Sequence, residues 1–371
     1  MPRPRLLACA VLALVAVSAS GCHRRPRPPK YAPGQQVVAP PPDGPPGAPP
    51  PDGPPGPPPG GPPSAPPSYV THAPLPAGTN RTLTATGAAR SLTRVTQEPI
   101  DEVTPALSPN GTVVLFETRV GSGNSVSAQR IVGVDPQNAA TRTHYTPHGA
   151  RANAPAWLPD GTYVYITDGG GKPSLVRSLA AAPNAATATI LSADAAPDLS
   201  HPSPSPDGKR IAFEATLRNK TQIGIVGIDG SRLTVVGEGH RPTWSPDGKR
   251  LVFTRTVLDF SQIFVANPDG SGVAQVTSDA SDHDDPSWAP SSKLIIFNSN
   301  KGFDRQGGSW NLFVVKPDGS GLLQMTEGNS DTGAPSWGND GWIYFDSNQS
   351  GNYQIWRMRP TGEIDSLGNR R

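Results

Sequence analysis

The chain has 371 residues, 46 of them proline and 40 glycine, and a formal charge of only +2 from 32 Lys and Arg against 30 Asp and Glu. So even a balance argues against a nucleic-acid partner, because phosphate binding draws on a clear excess of basic residues. Of the two cysteines, Cys9 lies in a segment expected to be removed, which excludes thiol catalysis, thiolate metal sites and a disulfide from the mature chain.

Residues 1–21 read as a signal peptide. Arg3 and Arg5 precede an apolar run from Leu6 to Val17, and small residues follow; the run is too short for a membrane-spanning helix. The segment ends Ala19-Ser20-Gly21-Cys22, which resembles the bacterial lipobox. That resemblance implies an acylated Cys22 as the new N-terminus, and His23 in place of an Asp implies sorting to the outer membrane. Several acyl chains on one Cys anchor stably where a single chain does not.

Residues 22–89 are expected to form a disordered Pro-rich linker behind the lipidated cysteine. Pro42-Asp43-Gly44-Pro45-Pro46-Gly47 and Pro51-Asp52-Gly53-Pro54-Pro55-Gly56 are near copies, but Pro50 and Pro59 break the three-residue glycine period. A collagen triple helix is therefore rejected. An extended spacer at about 3.1 Å per residue would reach on the order of 140 Å. Arg24, Arg25, Arg27 and Lys30 are placed to lie on anionic headgroups.

From about residue 90 to 371 one phrase recurs six times. Its leading prolines are Pro105, Pro155, Pro202, Pro242, Pro286 and Pro335, and Trp157, Trp244, Trp288 and Trp337 follow two residues later in four copies. A turn such as Ser245-Pro246-Asp247-Gly248 comes next, with Pro supplying its early φ and Gly its closing positive φ. The fifth copy, Ala289-Pro290-Ser291-Ser292, lacks the glycine, so its turn is expected to differ in type. Each turn feeds a β-branched, aromatic-rich strand such as Leu251–Arg255 or Leu294–Ser299. A third strand follows, as at Gln262-Ile263-Phe264, then an Asp-Gly-Ser turn and a fourth strand ending near Leu233-Thr234, Val276-Thr277 or Met325-Thr326. Four strands per unit at this spacing predict an all-β fold, a six-bladed β-propeller with four-stranded antiparallel blades. Leu92–Thr96 is expected to complete the last blade from the N-terminal side; the alternative is local closure by Ile364–Leu367.

The repeated Pro-x-Trp-Ser-Pro-Asp-Gly-Lys-x-Leu-x-Phe pattern and the phrase Ser347-Asn348-Gln349-Ser350-Gly351-Asn352-Tyr353-Gln354-Ile355-Trp356 resemble the repeats of the TolB-type propeller family. The resemblance spans about residues 90–371. It implies a fold more than an activity, since TolB, peptidase propellers and sugar-cleaving propellers share such repeats. A Pro-rich segment stands where TolB has an α/β domain, so the full Tol role does not carry over.

Propeller sites gather at one mouth of the central channel, and the loops before the leading prolines are expected to surround it. The binding candidates are Glu102, Asn153, His201, His240, Arg241, Asp282, His283, Asp284, Asp285 and Asp331, with Asp101 beside them. His201, His240 and His283 are metal-ligand candidates by residue type. They stand one, two and three residues before their prolines, so their directions should diverge; no metal and no cofactor is expected. Residues 282–285 lack the spacing of an EF-hand loop. No Gly-x-Ser-x-Gly elbow is present. Gly121-Ser122-Gly123 and Gly169-Gly170-Gly171 read as hairpin turns, the in-register tryptophans as packing residues, and Lys301–Ser309 with Phe303, Asp304 and Arg305, next to Trp310, as a partner-contact loop.

Two functions follow as expectations. The first is a monomeric, non-enzymatic platform, lipid-anchored to the outer membrane on its periplasmic or surface side. Its partner would be an envelope polysaccharide or, as the resemblance implies, an OmpA-like peptidoglycan-associated protein. The second is a carbohydrate-active lyase or hydrolase using a metal or an acid–base pair at the mouth.

Overall fold

The computed structural model describes residues 81–121, 128–146, 151–168, 172–178, 187–303 and 309–369. Cys22, residues 23–80 of the linker, residues 122–123 and 169–171, Asp304 and Arg305 lie outside the described residues.

Six four-stranded antiparallel sheets form six blades. Blade 1 is Asp101–Leu107, Val114–Val120, Ala128–Asp135 and Asn138–His144. Blade 2 is Ala152–Trp157, Tyr163–Thr167, Ser174–Ser178 and Thr187–Ser192. Blade 3 is Ser200–Pro204, Arg210–Leu217, Lys220–Gly227 and Thr234–Glu238, so Leu233-Thr234 opens its fourth strand rather than ending it. Blade 4 is His240–Trp244, Leu251–Val257, Phe260–Ala266 and Ala274–Gln275. Blade 5 is His283–Trp288, Ile295–Ser299, Asn311–Val315 and Leu323–Gln324.

Blade 6 takes Thr332–Trp337, Ile343–Ser347 and Gln354–Pro360 from the C-terminal part and its outer strand, Ala89–Arg94, from the N-terminal part. The ring is therefore closed by the N-terminal strand. Gln354 reinforces it by donating through Nε2 to the carbonyls of Glu98 (2.7 Å) and Ile100 (3.0 Å). Ile364 and Leu367 instead belong to a short helix, Gly362–Gly368, that packs on the blade 5–6 core. Its Gly368 is a close-approach glycine: a Cβ there would meet the Trp337 ring at 2.2 Å. The end of the expected linker is not disordered: Leu83–Ala85, with Leu83 buried, pairs as a strand with Thr326–Gly328 upstream of the closing strand.

Each second strand is apolar on both faces because it is sandwiched between neighbouring blades. Six hydrophobic clusters result, one at each blade interface. Trp244, Trp288 and Trp337 are buried in them, and Trp157 lies at the edge of the blade 1–2 cluster.

The fifth turn corrects the expectation drawn from its missing glycine. Ser292 adopts φ +62° and donates its N–H to the Ala289 carbonyl at 2.9 Å, the same closure that Gly248 makes to Ser245 at 2.8 Å. Its hydroxyl accepts from the Asp247 N–H of blade 4 at 3.1 Å, a tie that glycine cannot offer.

Candidate binding site at the channel mouth

The first strands of the six blades neighbour one another in a closed ring, so they surround the axis. Each carries the same irregularity. The register slips at the leading proline, between Val103 and Ala106, Asn153 and Ala156, Ser200 and Ser203, His240 and Thr243, Asp284 and Ser287, and Gly333 and Ser336. The residue before each proline has positive φ: Thr104 55°, Ala154 50°, His201 47°, Arg241 51°, Asp285 49° and Ala334 44°. Left-handed backbone at a non-glycine costs roughly 1–3 kcal/mol, and a following proline disfavours helical backbone. Six such bulges persist only because something holds them.

In four blades the holder is a carboxylate. The bulge N–H of Thr104 donates to Asp346 (3.0 Å), Ala154 to Glu117 (3.4 Å), Arg241 to Glu214 (3.1 Å) and Ala334 to Asp285 (3.1 Å). Charge-assisted bonds of this kind are about twice as strong as neutral ones. Glu117, Glu214 and Asp346 share one place in the repeat, directly after the second-strand phenylalanines Phe116, Phe213 and Phe345, and each reaches to the next blade. Asn298 has that place in blade 5 and bonds Asp285 and the Thr332 carbonyl, both at 3.3 Å. Of these holders only Asp285 was a sequence candidate; Glu117, Glu214, Asp346 and Asn298 were not. The signal was a polar residue after a strand phenylalanine, recurring in five of the six blades, with Tyr165-Ile166 the exception in blade 2.

The bulge also sorts the candidates, which stand on or at the start of inner strands rather than in loops. Residues one and two before the proline both face the channel, because the bulge breaks strand alternation. This set includes Asn153, His201, His240, Arg241, Asp284 and Asp285. Residues three before the proline turn into the blade. Glu102 is fully buried there and paired with Arg142, its carboxyl pushed up by burial. His283 stands edge-on to Phe297, donates or accepts at Asp279 at 2.9 Å, and has its titration pushed down by burial. Aspartates four before the proline join blades. Asp101 accepts from the Tyr353 N–H (3.0 Å), Asp282 from Ser261 (2.9 Å) and Asp331 from Trp310 (3.4 Å). Asp282 and Asp331 are further clamped by Asn300 and Asn348, each through a backbone and a side-chain contact.

Two of the three histidines do come together. Nδ1 of His201 and Nδ1 of His240 each lie 3.3 Å from a different oxygen of Glu214, and about a quarter of each imidazole is exposed to the channel. Burial alone would raise Glu214, but the bonds and charges of the two histidines outweigh it and hold the carboxyl far below its ordinary value. His240 is raised, chiefly by its hydrogen bond to Glu214. His283 is not part of this group, and among the described residues no three metal-ligating side chains converge.

Beyond them Arg241 pairs with Asp285 and lies 3.4 Å from Asp284, whose other partner is the Thr254 hydroxyl at 3.0 Å. Glu117 holds Arg119. Among the described residues the mouth therefore gathers five carboxylates, the buried Glu117, Glu214 and Asp346 and the partly exposed Asp284 and Asp285, beside two guanidinium groups, of Arg119 and Arg241, and the imidazoles of His201 and His240.

Residues 186–307 match the TolB beta propeller domain family. No curated protein sequence matches the chain. Among solved structures, one assigned as TolB from Agrobacterium tumefaciens is 19% identical with a TM-score of 0.55, covering 72% of this chain and 93% of that one. A gluconolactonase from Xanthomonas campestris is 14% identical with a TM-score of 0.55, covering 76% and 95%. TolB from Acinetobacter baumannii is 15% identical with a TM-score of 0.51, covering 71% of this chain but only 64%, under two thirds, of its own. At these identities the likeness is one of fold.

Proposed function

The chain carries a TolB-like six-bladed β-propeller, and we propose that it is a non-enzymatic binding platform whose channel mouth engages a cationic segment of an envelope protein or polymer. The carrying observation is the mouth, where among the described residues five carboxylates stand against two guanidinium groups and the two imidazoles on Glu214. Low-dielectric walls focus such a field on an approaching cation. In this reading acylated Cys22 anchors the protein to the outer membrane and residues 23–80 serve as the tether. An OmpA-like peptidoglycan-associated protein is the first partner to test, and an envelope polysaccharide the second. Among the described residues no helix is long and apolar enough to cross a membrane.

The test is a pull-down from envelope extract on the chain carrying Cys22→Ser, with Asp284→Lys as the comparison. Saturable capture of one envelope component, weakened at least tenfold by Asp284→Lys and by salt, supports the reading. Capture indifferent to both overturns it. Asp282 is not a suitable site for charge reversal, because it joins blades 4 and 5.

One observation favours a second reading. An imidazole oriented by a carboxylate is the equipment of general base catalysis, and His240 on Glu214 supplies one, with His201 beside it. Turnover of sugar lactones or uronic-acid oligomers, abolished by His240→Gln with the fold intact, would move the protein to the enzymes.

A further inference from the structure

We propose that the space over Gly333 is the seat of a primary ammonium group, a lysine side chain or other alkylammonium, held by the Asp346 carboxylate with Asp285 beside it. The proposal deepens the mouth-binding reading by naming the group recognised.

Gly333 stands two residues before its proline and faces the channel, where the other blades carry Val103, Asn153, Ser200, His240 and Asp284. Its backbone does not require glycine, since it is not among the positive-φ positions. What glycine provides is room. A Cβ there would lie 2.9 Å from Asp346 Oδ1 and 3.6 Å from both Asp285 Oδ2 and Asn298 Nδ2. The neighbouring bulge residues Ala334 and Thr104 are also small, so this side of the channel carries small side chains where blades 3 and 4 carry His201, His240 and Arg241.

Asp346 is 3% exposed. Its Oδ2 accepts the Thr104 N–H, and among the described residues none donates to Oδ1. That oxygen keeps contact with solvent and is open to a donor from the channel. Burial pushes its titration up to about 6, opposed by the Thr104 bond and by the charges of Arg119 and Arg241, with Glu117 acting the other way. Asp285 is already engaged by Arg241, Asn298 and Ala334, so it contributes field more than a free lone pair.

That donor set selects the ligand. Calcium takes six to eight oxygens, and guanidinium prefers two parallel acceptors. One uncommitted carboxylate oxygen beside a second negative group suits an ammonium, which makes one short ionic bond and gives its other protons to water. A bound ammonium favours ionised Asp346, so binding weakens as pH falls below about 6.

The probe is n-butylammonium chloride, titrated into the ¹⁵N-labelled chain carrying Cys22→Ser, with sodium and calcium chloride at matched ionic strength as comparisons. Saturable shifts at the Gly333, Ala334 and Thr104 amides are expected, about tenfold weaker at pH 5 than at pH 7. Asp346→Asn keeps an acceptor for Thr104 and should weaken binding at least tenfold. Gly333→Ala displaces only the tip of Asp346 and should do the same, so it serves if Asp346→Asn does not fold. An equal response to sodium or calcium, or unchanged affinity in a folded variant, overturns the proposal. An empty envelope pull-down with a positive butylammonium titration would remove the partner and leave the notch. The reverse result would remove the notch and leave the partner.

Discussion

Asp284 and Asp285 face the channel, whereas His283, which opens the same inner strand, and Asp282 just before it serve the body of the propeller. Asp282 ties the Ser261 backbone and Asn300 together, and His283 sits against Phe297. Asp284 and Asp285 meet Thr254 and Arg241 across the lining. Four consecutive acidic or imidazole side chains thus divide between scaffold and site, and the bulge at Asp285 makes the division. Residue type alone does not separate a ligand group from a structural one; position relative to the bulge does.

The largest break in that contrast is expected at Glu214, which belongs to both regions. Glu214→Leu leaves the Arg241 N–H and the His240 imidazole without their acceptor and should destabilise by about 3 kcal/mol in urea unfolding. A loss below about 1 kcal/mol would mean that the bulge at Arg241 holds itself.

Next in size is the pair Asp282→Ala and Asp284→Ala. The first removes the acceptor of the Ser261 N–H and the Asn300 clamp, for about 2 kcal/mol. The second removes a partly exposed carboxylate, for less than about 1 kcal/mol. Equal losses by chemical denaturation would erase the scaffold–site distinction.

The smallest effects are in pH dependence, and the two histidines should differ in sign. His283 is lowered when folded, so its contribution is present above the unfolded pKa near 6.5 and is lost as pH falls through the folded value. His240 is raised, so its contribution is present below about 6.5 and is lost as pH rises through the folded value. Stability profiles from pH 5 to 8 should flatten on the acid side in His283→Gln and on the alkaline side in His240→Gln. Matching profiles would show that the two sites share one environment.

Much of the fold was legible because its causes are local. Pro-Asp-Gly turns, β-branched strands and in-register tryptophans recur with each blade, and closure by the N-terminal strand follows from a strand count that leaves the last blade one short. The fifth turn was misread because Ser292 takes the glycine conformation and gains a bond to a residue of the previous blade, which local turn chemistry does not reveal. The site was only half legible. His201, His240, Arg241, Asp284 and Asp285 were singled out by type, but Glu117, Glu214 and Asp346 were not, because a polar residue inside an apolar strand makes sense only beside the bulge it holds.

The sequence by itself determined the number of blades, the order of their strands and the residues that pack between them, since periodic burial and turn chemistry are written along the chain. Tertiary structure alone decided which polar groups face the axis. A one-residue bulge reverses strand alternation, and the carboxylate that stabilises it comes from a different blade. Asp346, Asp285 and Asn298 gather around Gly333 only because blades 5 and 6 meet there.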